Sequence, residues 1–71
     1  MDNMQRPFRE GDYVTDQRRL YRVLQIVPAK LRQRAAILED CRTLEAILFR
    51  PTELRRMRLQ LVAPALELSA L

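Results

Sequence analysis

Apolar and polar positions alternate, break and resume several times along this chain, and most of the runs are of strand length. Tyr13-Val14-Thr15 is aromatic and β-branched, the composition of a short strand. Gly11-Asp12 just before it predicts a turn, because Gly takes positive φ freely and Asp caps nearby backbone groups. Asp16-Gln17-Arg18-Arg19 is a polar break of hairpin-loop length. Leu20 to Val27 predicts a second, longer strand with imperfect alternation. Tyr21 and Val23 share one face, but Ile26 falls on the other. A bulge near Leu24-Gln25 returns Ile26 to the core side, giving Val14, Tyr21, Val23 and Ile26 as core. Pro28 has no N–H for the ladder and ends the strand.

The second half is more ambiguous. Residues 29–34 are polar and basic apart from Leu31 and predict an exposed connection. Over residues 35–50, Ile37, Cys41, Leu44 and Leu48 recur at helical spacing among good helix formers. The same stretch also divides into strands Ala35–Glu39 and Leu44–Arg50 around a turn at Asp40-Cys41-Arg42-Thr43. There the Asp40 side chain would accept from the backbone two residues on. A lone hairpin needs further strands or a covering helix, so the first half favours the strand reading. Residues 51–57 predict one short helical turn, and Arg58-Leu59-Gln60-Leu61-Val62 a last strand stopped by Ala63-Pro64. Residues 1–7 form a polar leader, 8–63 the single domain and 64–71 an apolar tail for which flexibility and docking stay open.

The order of these signals resembles the SH3-like small β-barrel superfamily. The matching pieces are Gly11-Asp12-Tyr13-Val14, Leu20-Tyr21-Arg22-Val23, the turn Glu39-Asp40-Cys41-Arg42-Thr43, Leu54 in the single helical turn and Leu59-Gln60-Leu61-Val62. The resemblance covers about residues 8–63. It implies an all-β fold, a barrel of about five strands with one helical turn near 52–57. The alternative is α+β, a hairpin over 12–27 followed by helices over 29–50 and 52–62. Barrels of this kind, in the KOW, Tudor and bacterial SH3-like families, bind nucleic acid, peptides or other proteins. This chain has one Gly where a KOW motif needs more, too few aromatics for a methyl-cation cage and no Trp for a proline-peptide groove. The resemblance therefore implies a fold and a broad class, and no functional residues. A compact, Arg-rich chain has the look of a small bacterial or phage-type protein.

Composition changes this picture in three ways. First, 71 residues with 48% apolar content make one small domain, able to form a core and to leave an apolar patch for a protein partner or a second copy. Second, the lone cysteine, Cys41, allows no internal disulfide and suits a reducing cytoplasm. No apolar segment follows Met1 as in a signal peptide, and no run nears the roughly 20 residues of a membrane helix. Third, the net charge is +4 and twelve of the thirteen basic residues are Arg. That admits nucleic acid as a partner; a GC-rich genome, which encodes Arg in place of Lys, is the plainer source.

The chemistry is thin. No His is present, which removes the commonest general base and zinc ligand. Cys41 reads as a core or turn thiol, because Glu39 and Asp40 oppose any activation by Arg42. Glu39 and Asp40 point to opposite faces of a strand. Asp12 and Asp16 lie about 13 Å apart when extended, too far for one cation, and read as solvated or capping groups. There is no Gly-rich phosphate loop. No catalytic, metal-binding or cofactor-binding residue is assigned, and no enzyme is expected. Two basic groups remain as candidate phosphate contacts. One is Lys30, Arg32 and Arg34; the other is Arg55, Arg56 and Arg58 with Arg18 and Arg19. Barrel loops could bring them to one side, although a solvated face that keeps the protein soluble is the plainer reading. Tyr13 is the candidate exposed aromatic. Two functions follow: a non-enzymatic, protein-binding or self-associating module, or a small basic nucleic-acid-binding protein.

Overall fold

A computed structural model describes residues 8–30 and 33–65. The chain forms β1 (Tyr13–Thr15), β2 (Leu20–Pro28), β3 (Arg34–Asp40), β4 (Ala46–Phe49), α1 (Pro51–Met57) and β5 (Gln60–Ala63). All neighbouring strands are antiparallel, in the order β4-β3-β2-β1-β5. The all-β expectation with one short helix is borne out. Residues 35–50 are two strands and a turn, so the α+β alternative with a helix there fails. Arg34, placed by the sequence in the connection, begins β3 opposite Pro28.

Register explains the core. Val23 faces Leu38, Gln25 faces Ile37 and Ile26 faces Ala36, so Leu24 is the extra residue of a bulge. That is the irregularity the broken alternation predicts. Val14, Tyr21, Val23, Ala36 and Leu38 are buried together. Ile26 packs on their edge half-buried, as do Phe8, Phe49, Leu54, Met57 and Leu59. Tyr21 and Phe49 meet edge to face, with centroids 5.9 Å apart and planes at 75°.

Helix α1 packs on β3 and delivers Leu54 and Met57 to this core. Pro51 suits the first helical position. The Arg50 N–H donates to Glu53 Oε1 at 2.7 Å, which satisfies a donor at the helix start. Arg58 ends the helix in the left-handed region. That cap is why β5 begins at Gln60 and not at Arg58.

The approach to β1 is pinned as well. Gly11 takes φ +94° and donates its N–H to Val23 O at 2.7 Å. Asp12 caps locally as expected, with Oδ2 accepting from the Arg9 N–H at 2.9 Å. It is not solvated: it is 1% exposed. Its Oδ1 accepts from the Ala65 N–H at 2.8 Å, tying the end of β5 to the start of β1. Residues 1–7, the expected leader, and Leu66, Leu68 and Leu71 of the tail lie outside the described residues. No helix among the described residues is long and apolar enough to cross a membrane.

Candidate functional site

The β1–β2 and β3–β4 turns stand at the same end of the sheet, and two aspartates shape them. Asp16 Oδ1 accepts from the Arg18 and Arg19 N–H groups, each at 2.9 Å. These bonds, Arg19 first, hold its carboxyl below the usual value. Thr15 Oγ1 accepts from the Gln17 N–H and donates to Arg19 O, which steadies Gln17 at φ 81°. At the end of β3, Asp40 Oδ1 accepts from the Arg42 N–H at 2.8 Å, the bond expected of an Asp opening a turn. Its Oδ2 accepts from Arg19 Nη1 at 3.0 Å. The Arg42 N–H, then the Thr43 N–H and the Arg19 guanidinium, hold the Asp40 carboxyl low against its burial. The Cys41 N–H donates to Leu20 O at 2.9 Å and joins the two turns.

Between the turns lies a depression of about 360 Å³ lined by Arg18, Arg19, Leu20, Asp40, Cys41 and Arg42. Burial pushes the Cys41 thiol up, and Glu39 and Asp40 add to the rise. The thiol is therefore protonated and a poor nucleophile at neutral pH.

The other sequence candidates are spread out. Gln17 Nε2 donates to Gln60 Oε1 at 3.1 Å and Thr15 faces Gln60. Arg58, two residues before Gln60, therefore lies toward the same end as Arg18 and Arg19. Arg55 and Arg56 occupy the last turn of α1 and are exposed. Lys30 and Arg34 sit at the other end of β2, on the order of 25 Å along its nine residues. The two basic groups do not meet on one side. Arg32 lies outside the described residues. Tyr13 is half-buried, and the Arg22 guanidinium lies 5.9 Å from its ring centroid, a cation–π arrangement that occupies one face.

Sequence reading missed Arg42 as a partner of Arg18 and Arg19. The signal was present in Asp40: the same carboxylate that fixes the Arg42 backbone reaches across to Arg19. It also missed two apolar edges. Ile47 and Leu48 of β4 are 41% and 57% exposed, and Leu61 and Val62 of β5 are 42% and 55% exposed. Leu44, at the tip beside β4, is held at φ 65° and is 69% exposed.

An apolar cavity of about 140 Å³ lies between the sheet and α1, with Phe8, Leu38, Leu54 and Leu59 on its wall and Arg34 at its side. Among the described residues no group of three His, Cys, Asp or Glu side chains is placed to hold a metal ion. Comparison with protein-family models, with curated proteins and with solved structures finds no match to this chain.

Proposed function

We propose that this chain is a non-enzymatic interaction module that associates with copies of itself through the two edges of its sheet. The supporting fold reading is an SH3-like arrangement whose sheet stays open, with β4 and β5 as its outer strands and the single helix before β5. The observation that carries the function is the chemistry of the edges. Neighbouring residues of a strand point to opposite faces, so Ile47 and Leu48 make both faces of β4 apolar, and Leu61 and Val62 do the same for β5. Edge strands are ordinarily blunted with charge, Pro or a covering segment. Neither Ala46–Phe49 nor Gln60–Ala63 contains a charged residue or a Pro.

A module that receives one foreign strand needs one such edge. Two apolar edges on one sheet suit head-to-tail addition, β4 of one copy against β5 of the next. The test is the mass in solution over a hundredfold range of concentration. Multiples of the 8.4 kDa chain, growing with concentration, are expected. A mass that stays at one chain throughout would sink the proposal.

A further inference from the structure

The Arg-rich depression is separate from the strand edges and has its own chemistry. Arg18, Arg19 and Arg42 line it together with Asp40; with the neighbouring charges of Arg22, Asp16 and Glu39 included, the surplus is one positive charge. Arg19 is oriented by Asp40. Arg18 and Arg42 form no ion pair among the described residues, while hydrogen bonds to Asp16 and Asp40 fix their backbone positions. We propose that this depression binds phosphate groups of a nucleic-acid backbone.

Guanidinium forks match the oxygens of a phosphate. The backbone N–H groups of Arg18, Arg19 and Arg42 are already taken by aspartate oxygens. The grip is therefore made by side chains at the rim. Exposed guanidinium groups hold a single free anion weakly in water. A polyanion that releases counterions along several contacts is held far better, and Arg58 lies toward the same end for a neighbouring phosphate. No aromatic side chain lines the depression, so bases have no stacking platform there, and binding is sequence-tolerant.

Cys41, on the wall of the depression, supplies a local reporter. The experiment pairs the anisotropy of a short fluorescent single-stranded DNA with the rate of Cys41 alkylation by N-ethylmaleimide, read by mass spectrometry. DNA is expected to bind at about 50 mM salt, to weaken steeply by about 200 mM and to slow the alkylation of Cys41. Arg18→Glu with Arg42→Glu is expected to cost at least about tenfold in affinity. Lys30→Glu with Arg34→Glu makes the same charge change at the opposite end and is expected to cost much less. Circular dichroism verifies that both variants fold. No binding at low salt overturns the proposal. So does an equal loss in the two variants, which would mean diffuse charge attraction. Protection of Cys41 by inorganic phosphate as strong as that by DNA, at matched ionic strength, overturns the assignment to a polymer backbone.

Discussion

At Gly11 the backbone leaves no room for another residue. A Cβ there would stand 2.8 Å from Ala65 Cβ, and φ is +94°. Gly11→Ala adds strain to a clash and is expected to cost about 1–3 kcal/mol. In a domain this small that lowers the thermal midpoint by several degrees at least, which a melt followed by circular dichroism would register. Leu44 poses the opposite case. It also sits at positive φ, but it is exposed and contributes little to the core. Leu44→Gly is expected to be neutral or to stabilise the monomer by up to about 1 kcal/mol; a clear drop in a denaturant titration would contradict that. Asp40 makes the acid side of the stability curve informative. Its carboxyl lies below the ordinary 3.8, chiefly through the Arg42 N–H. A depressed carboxylate contributes stability that is full above its unfolded pKa and lost as pH falls through the folded one. Asp40→Asn is therefore expected to lower the thermal midpoint at pH 7 and to flatten its decline below about pH 4. Some slope remains, because Asp16 is depressed in the same direction. Identical acid limbs for the two proteins would show that Asp40 contributes nothing there.

At the scale of elements, the first hairpin and α1 were legible because local signals agree with the final contacts. Asp16-Gln17-Arg18-Arg19 and Gly11-Asp12 place turns, and the broken parity at Ile26 marks the bulge opposite Leu38-Ile37. Residues 35–50 were not decided locally, because Ile37, Cys41, Leu44 and Leu48 fit a helix as well as two strands. The register of β3 against β2 decides it: Leu38 enters the core only as the partner of Val23, a long-range pairing that no local window contains. The candidate site divides in the same way. Arg18 and Arg19 stood out as a run, while Arg42 joins them through long-range contacts, the Asp40 carboxylate and the Cys41–Leu20 backbone bond. The Asp12–Ala65 tie spans 53 residues and leaves no local signal at either end. Where local chemistry is sufficient, its energy can be measured directly. Glu53→Ala removes the acceptor for the Arg50 N–H and is expected to destabilise by about 0.5–1 kcal/mol, the usual size of a lost helix cap. A chemical-denaturation midpoint unchanged from the parent would refute that role. Leu38→Ala, at a fully buried position, is expected to cost about 2–5 kcal/mol and to leave little of the folded state in so small a domain.

For the whole molecule, the sheet separates two surfaces by type. Arg18, Arg19 and Arg42 line the turns of one end, while exposed apolar residues run along the outer strands, β4 and β5. Association through the strands would leave the turns free, so copies added head to tail would repeat the Arg-rich depression along an assembly. That arrangement makes a demand on the edges that a symmetric pairing does not. Ile47→Glu with Leu48→Arg disables β4, and Leu61→Glu with Val62→Arg disables β5; all four positions are exposed and outside the core cluster, and circular dichroism verifies that both variants fold. In head-to-tail association each variant alone is a monomer, because every contact needs one edge of each kind. Mixed together, the two variants regain one complementary contact, β4 of the second against β5 of the first. The expected product is a two-chain complex that grows no further, because the edges left over are both disabled. Pairing of β4 with β4 about a two-fold axis gives a different result: the β5 variant still dimerises alone, and mixing adds nothing. Light scattering of the two variants, separately and at equal concentration, separates these outcomes. A β5 variant that assembles by itself, or a mixture that stays at the mass of one chain, would rule out the head-to-tail arrangement.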